Sequence, residues 1–265
     1  MKEQNKPIGI FDSGVGGSSI WKEIITLLPS EDTVFLADSK YAPYGKRSKK
    51  EILELSIKNT EKLLEFDCKI IVVACNTATT NAIKELRSSY NIPFIGIEPA
   101  IKPAAIHTKT NKVGVLATKG TLSSELFAKT SDLYAQNIEV IEVIGTGLVE
   151  LIEDGKIEST EMYDLLHSYI QPLIEKNIDY LVLGCTHYPY LIPILKNILP
   201  DNVTIIDSGE AVARQTKAIL TQHQLLNPVS DRSSYHRLYS NATIDTLKEI
   251  IKPTLSNYSA EKLDF

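Results

Sequence analysis

Short apolar runs alternate with longer stretches whose apolar residues recur every three or four positions, and the alternation continues along nearly the whole chain. Buried parallel strands read as short continuous apolar runs, and each needs a helix to carry the chain back across the sheet. The pattern therefore predicts an α/β fold with mainly parallel sheets. Strands are expected at Ile8 to Phe11, Thr33 to Leu36, Ile70 to Ala74, Phe94 to Ile97, Val113 to Ala117, Glu139 to Ile144, Tyr180 to Gly184 and Val203 to Ile206. Helices are expected at Lys49 to Glu65, Ala78 to Tyr90, Thr160 to Lys176 and Glu210 to Leu220. Beyond Asp207 the chain holds further helix-like and strand-like pieces that can return to complete the first domain, and Leu226 to Ser234 reads as a surface loop.

The pattern also repeats. Ile8-Gly9-Ile10-Phe11-Asp12 resembles Val113-Gly114-Val115-Leu116-Ala117, 105 residues on, and Cys75 is matched by Cys185, 110 residues on. An acid closing the next strand follows each cysteine, Glu98 after 23 residues and Asp207 after 22. Two copies of one strand order are implied, hence two similar domains related by pseudo-twofold symmetry. With crossings near Ile97-Glu98-Pro99-Ala100 and Ile206-Asp207-Ser208-Gly209, the first domain is expected to comprise residues 1–98 and 208–265, and the second residues 99–207. Open α/β sheets take ligands beyond the carboxyl ends of their strands, which places a site in the cleft between the two domains.

Two thiols would supply the chemistry there. Ile70-Ile71-Val72-Val73-Ala74-Cys75-Asn76-Thr77-Ala78-Thr79 and Tyr180-Leu181-Val182-Leu183-Gly184-Cys185-Thr186-His187-Tyr188-Pro189 each run from an apolar strand through Cys into a turn and then a helix. The thiolate is the reactive form, and free N–H groups at a helix N-terminus lower a thiol pKa from about 8.5 to about 3.5–7.5. A single cysteine at a strand end is commonly a small buried hydrophobe. Two in matched settings, each followed by polar residues that a core would not choose, point to one shared reactive site. Cys68, in Phe66-Asp67-Cys68-Lys69, lacks that follow-on and is expected to be incidental.

At 265 residues the chain can hold two modest cores. Its three sparsely placed cysteines form neither a zinc pattern nor a disulfide framework and are expected to be reduced thiols. A net charge of −5 argues against a nucleic-acid binder, which needs a basic face. Lys46-Arg47-Ser48-Lys49-Lys50 is expected to be the solvated start of a helix. No run is long and apolar enough for a bilayer, and Met1 to Lys6 lacks the core of a secretion signal, so a cytoplasmic enzyme with no membrane partner is expected.

Further polar residues cluster at the predicted strand ends. Phe11-Asp12-Ser13-Gly14-Val15-Gly16-Gly17-Ser18 opens a helix, and its glycines allow close approach of a ligand, but it lacks the spacing of a phosphate loop or a dinucleotide fingerprint. Asp12 suits either a helix cap or proton transfer. In Asp38-Ser39-Lys40-Tyr41-Ala42-Pro43-Tyr44-Gly45 the aromatic hydroxyl of Tyr44 either closes a turn or contacts substrate. Thr118 and Thr121 occupy the corresponding turn of the second half, where capping and binding are both open. His187, two residues after Cys185, reads as a proton-transfer partner. His107, His167, His223 and His236 stand in loop-like or helical contexts as ordinary surface or satisfied residues. A set of Asp, Ser, Asn, Thr and Tyr with little Lys or Arg suits a small dianion. No motif for pyridoxal phosphate, nicotinamide or a metal is seen, and no cofactor is expected. One thiolate taking a proton from carbon while a thiol on the opposite face delivers another would be a cofactor-free inversion.

Asp12-Ser13-Gly14-Val15-Gly16-Gly17, Pro43-Tyr44-Gly45, Ala74-Cys75-Asn76-Thr77-Ala78, Glu98-Pro99-Ala100 and Gly184-Cys185-Thr186-His187-Tyr188-Pro189, taken in this order, resemble the motifs of the glutamate racemases within the aspartate/glutamate racemase superfamily. The resemblance runs from residue 8 to about residue 209. It implies cofactor-independent interconversion of L- and D-glutamate, supplying D-glutamate for peptidoglycan and so for cell shape, by a soluble enzyme that is commonly a homodimer. It further implies that Cys75 deprotonates the D-isomer, assisted by Asp12, and Cys185 the L-isomer, assisted by His187. Glu153 lies where the family often has a Glu that helps this histidine. Asp12-Ser13, Tyr44-Gly45, Asn76-Thr77 and Thr186-His187 match the family's substrate-binding pairs, with Thr118 and Thr121 as fainter matches. Gly145-Thr146 departs from the Cys-Pro that many members carry before the helix leading to that Glu. The competing readings are another racemase or a decarboxylase of the superfamily, such as an aspartate racemase, and a non-catalytic amino-acid-binding protein. The second would be expected to lose a thiol, and both are present.

Overall fold

Two parallel sheets organise the chain in the computed structural model, which describes residues 3–134, 138–228, 233–252 and 257–265. The strands are β1 (Ile8–Asp12), β2 (Thr33–Ala37), β3 (Ile70–Val73), β4 (Phe94–Gly96), β5 (Lys112–Ala117), β6 (Glu139–Ile144), β7 (Tyr180–Gly184), β8 (Thr204–Ile206), β9 (His236–Ser240) and β10 (Tyr258–Lys262). The helices are α1 (Ser18–Leu27), α2 (Lys49–Glu65), α3 (Asn76–Ser89), α4 (Ile101–His107), α5 (Lys119–Leu122), α6 (Glu125–Tyr134), α7 (Leu148–Glu153), α8 (Thr160–Glu175), α9 (Ile192–Ile198), α10 (Gly209–Gln222) and α11 (Asp245–Ile251). No helix among the described residues is long and apolar enough to cross a membrane.

One sheet has the order β10-β9-β2-β1-β3-β4 and the other β6-β5-β7-β8, so the order β2-β1-β3-β4 recurs as β6-β5-β7-β8. This is the expected α/β architecture of two similar parallel units, and β9 and β10 bring the tail back onto the first sheet, parallel to β2. The chain crosses between sheets after β4 and after β8, and the two crossings touch where Ser208 Oγ donates to the Glu98 carbonyl at 2.5 Å. Of the expected loop from Leu226 to Ser234, residues 229–232 lie outside the described residues.

Burial on both faces explains why the central strands read as unbroken apolar runs: every residue of β1, β2 and β3 is buried. β6, on an edge, is largely exposed and carries Glu139 and Glu142, charges that blunt an open edge. Gly9 is small for a packing reason, since a Cβ there would lie 2.9 Å from Cys68 Sγ. Cys68 is thereby a core residue, and burial pushes its thiol up to about 12. α2 opens on a capping box in which Ser48 and Glu51 satisfy each other's backbone N–H groups; of the expected helix start at Lys46 to Lys50, Lys49 and Lys50 lie in α2, while Lys46 ends a preceding 3-10 turn.

Two predicted contexts differ in the structure. His236 lies on β9, buried, with Nδ1 2.9 Å from Thr33 Oγ1, rather than in a loop or helix. The two cysteine motifs are also less alike than their sequences suggest. Cys75 is the N-cap of α3, which starts at Asn76, two residues earlier than expected and with no intervening turn. Cys185 is followed by a 3-10 turn at Tyr188–Leu191 before α9. Pro189 and Pro193 each suit only the first turn of a helix, because neither can donate a backbone hydrogen bond, and this divides the segment in two.

Two buried polar clusters secure the sheet that carries β1. Lys69 Nζ lies 2.5 Å from Glu31 Oε2 and donates to the Gln4 carbonyl at 2.6 Å, while Glu31 Oε1 accepts the Asn227 N–H at 2.7 Å. At the opposite ends of the strands, Asp38 accepts hydrogen bonds from the Tyr44 hydroxyl, Lys58 Nζ, Asn59 Nδ2 and Asn241 Nδ2. Asn241 follows β9, so the returning tail holds the turn between Asp38 and Gly45 in place. Removing one partner of a buried ion pair leaves an uncompensated charge. Lys69→Met should lower the unfolding free energy by about 3–5 kcal/mol in urea denaturation, and adding Glu31→Leu should recover part of the loss.

Candidate active site

Cys75 and Cys185 line one narrow cavity, together with Ser13, Pro43, Tyr44, Gly45, Asn76, Thr77, Thr118, Val149, Thr186 and His187. The cavity lies beyond the carboxyl ends of β1, β3, β5 and β7, with one thiol contributed by each sheet. Its volume is about 10 Å³, room for about one water. Neither Lys nor Arg appears among the lining residues.

On the Cys75 side, Asp12 ends β1 wholly buried, and its Oδ2 accepts the N–H groups of Gly17 at 2.8 Å and Gly14 at 3.3 Å. These bonds orient the carboxyl as a cap orients one, although the N-cap position of α1 belongs to Gly17. Burial raises the Asp12 pKa above the ordinary carboxylate value, against the opposing pull of His187. A carboxylate so placed is a stronger base. Cys75 Sγ accepts the Ala78 N–H at 3.4 Å and lies 3.5 Å from Ser13 Oγ.

The position of Cys75 at a helix N-terminus predicts a lowered thiol pKa, and the structure reverses that expectation. Burial first, and the Asp12 carboxyl second, push the thiol well above its usual value. Desolvation of the thiolate outweighs one long bond from a helix N–H.

On the Cys185 side, His187 Nδ1 lies 3.7 Å from the thiol sulfur and Nε2 lies 2.6 Å from Glu153 Oε1. Burial pulls the imidazole pKa down, but the bonds to Cys185 and Glu153 outweigh it and leave the pKa well above the ordinary value. An imidazolium there is placed to hold a negative charge on Cys185. Glu153 does not line the cavity; it reaches His187 from the end of α7. The Gly145-Thr146 departure leaves this reach intact, since Glu153 Oε1 still lies 2.6 Å from His187 Nε2; the Gly145 carbonyl accepts the Tyr188 hydroxyl at 3.2 Å.

The remaining expected residues divide into those that face the cavity and those that stand behind it. Asn76 is buried and neither of its side-chain amide atoms has a partner among the described residues, so Nδ2 is available to donate to a bound carboxylate and Oδ1 to accept from an ammonium group. Thr77 Oγ1 meets Thr118 Oγ1 at 2.8 Å across the cleft, and Thr186 Oγ1 donates to Asp12 Oδ1 at 3.3 Å. Thr121 lies behind Thr77 and Thr118, bonded to both at 3.2 and 3.0 Å, and does not face the cavity. The Tyr44 hydroxyl is turned away to Asp38 and Asn59, so Tyr44 offers the cavity its ring and backbone rather than the expected aromatic hydroxyl. Pro43 and Val149 complete the wall.

The family model for Asp/Glu/Hydantoin racemases matches residues 21–216. The chain belongs to that family of amino-acid racemases. Within it, the chain is 44% identical to a curated glutamate racemase of Ectopseudomonas mendocina over 95% of each sequence. It superposes on the crystal structure of a Bacillus anthracis glutamate racemase with a TM-score of 0.85 at 32% identity, covering 99% of this chain and 98% of that one. An Escherichia coli glutamate racemase, solved with L-glutamate and the activator UDP-MurNAc-Ala, matches with the same TM-score and identity over 98% of each chain.

Two outcomes test this geometry. A Cβ on Gly14 would run into the Glu153 carboxylate, so Gly14→Ala should remove nearly all activity, while circular dichroism and the melting temperature stay close to those of the unaltered protein. In a Cys185→Ser background, alkylation of Cys75 by iodoacetamide should keep accelerating with pH beyond about 8.5, where an ordinary thiol levels off.

Proposed function

We propose that this protein interconverts L- and D-glutamate without a cofactor, by a two-base mechanism in which Cys185 and Cys75 act on opposite faces of Cα. The observation that carries the reading is the convergence of two thiols, one from each sheet, on a single cavity. In the L-to-D direction the Cys185 thiolate removes the Cα proton and the Cys75 thiol donates its own proton to the opposite face. The protein then holds a Cys185 thiol and a Cys75 thiolate, the form that accepts D-glutamate.

Each thiol has its own assistant in this reading. His187, held by Glu153, stabilises the thiolate form of Cys185. Asp12, made more basic by burial, serves Cys75 when that thiol must lose a proton. The environment of the free protein favours a neutral thiol at Cys75 and a cation beside Cys185, which is the form ready for L-glutamate. Asn76, Ser13, Thr77, Thr118 and Thr186, with backbone groups of Tyr44 and Gly45, take the substrate's charged groups by hydrogen bonding. The D-glutamate formed is a building block of peptidoglycan, the use that the relatives' activity suggests.

Incubation in deuterated water, first with L-glutamate and then separately with L-aspartate, tests this reading. D-glutamate carrying one deuterium at Cα is expected, with aspartate unchanged. Cys75→Ala and Cys185→Ala should each reduce racemisation by at least a thousandfold with the fold retained, since the loss of a reacting group removes several kcal/mol of transition-state stabilisation. Racemisation near the unaltered rate in either variant would exclude the two-thiol mechanism.

A further inference from the structure

The geometry points to Ser39 as a positioning residue that acts through Glu153 and His187 on the Cys185 half of the reaction; the assignment rests on the two-thiol reading above. Ser39 begins the short 3-10 turn Ser39–Tyr41 after β2, so it belongs to the sheet that carries Asp12 and Cys75. Its hydroxyl crosses the cleft and donates to Glu153 Oε2 at 2.7 Å. The other oxygen, Oε1, accepts the Val15 N–H at 2.7 Å and lies 2.6 Å from His187 Nε2.

Besides His187, the two donors that hold the Glu153 carboxylate therefore come from the opposite side of the cleft. Glu153 ends α7, and its long side chain has several rotatable bonds. Without the Ser39 bond its Oε2 loses a charge-assisted anchor, and the carboxylate is oriented toward the imidazole by the single bond from the Val15 N–H. The turn bearing Ser39 is itself held firmly, because the Lys40 N–H donates to Asn241 Oδ1 at 2.9 Å and Asp38 is bonded on several sides. Ser39 does not line the cavity, and its hydroxyl is directed to Glu153 rather than to Cys75 or Asp12. Its effect should fall on one of the two proton transfers.

Primary isotope effects with 2-deuterated L- and D-glutamate separate the two transfers. In Ser39→Ala, kcat should fall about tenfold in both directions, the loss expected for one bond to a charged group. The isotope effect on kcat/KM should rise with L-glutamate, whose Cα–H bond is broken by Cys185. It should shrink with D-glutamate, where the slow step becomes reprotonation rather than cleavage of the labelled bond. Ser39→Thr, which keeps the hydroxyl, should restore both effects. If Cys185→Ala is inactive but Ser39→Ala shows the isotope effects of the unaltered protein, the Ser39 assignment alone is overturned. If Cys185→Ala still racemises, the two-thiol reading is overturned and this assignment with it.

Discussion

Two groups can serve opposite faces of one carbon only if they approach it from opposite sides, and here that requires the carboxyl ends of two separate sheets to be pressed together. The contact is made by backbone as much as by side chains. Val15, in the turn after β1, donates its N–H to Glu153 of the other half, and the Gly16 nitrogen lies 3.2 Å from His187 Nε2, against the imidazole. Side chains at Gly14 and Gly16 would occupy the space of Glu153 and His187 respectively. The small residues in this turn therefore let the two halves approach closely at Glu153 and His187. The narrowness of the cavity follows from the same contact.

Burial then determines the chemistry of each side, with different results because the neighbours differ. Beside Cys75 stands a carboxyl that is itself buried, so desolvation and like charge act together and the thiol keeps its proton. Beside Cys185 stands an imidazole tied to a carboxylate, so the attraction between opposite charges overcomes desolvation and a cation is favoured. In a site whose lining holds no Lys or Arg, these few groups carry most of the local field. The asymmetry sets a protonated thiol on one side against a cation on the other.

Support for the site lies outside it. Asp38 takes no part in lining the cavity, yet it gathers Tyr44, Asn59, Lys58 and Asn241 and so fixes the turn from which Pro43, Tyr44 and Gly45 face the site. Asn241 arrives there only because β9 pairs with β2, which gives the tail a part in shaping a site that lies nearly 200 residues earlier in the chain. The hydroxyl of Tyr44 is engaged in this support. Its phenol pKa is raised, by burial first and by Asp38 second, so it stays protonated as a donor.

The sequence by itself determined the α/β class, the repeated strand order and the two cysteine motifs. Hydrophobic period, strand length and the placement of polar residues at strand ends are local properties, and local physics dictates them. It was enough to point to Asp12, Cys75, Asn76, Cys185 and His187 as members of one cleft. Only the tertiary structure decided what each group meets there. Ser39, Val15 and Gly16 carry no chemical signature of their own, and they became relevant because the closed cleft lays them against Glu153 and His187. The thiol of Cys75 shows the same limit: a helix N-terminus is legible in sequence and argues for a low pKa, whereas the desolvation that raises it depends on how much protein closes over the sulfur. Contacts between residues more than a hundred positions apart, and the water they exclude, exist only once the two sheets have met.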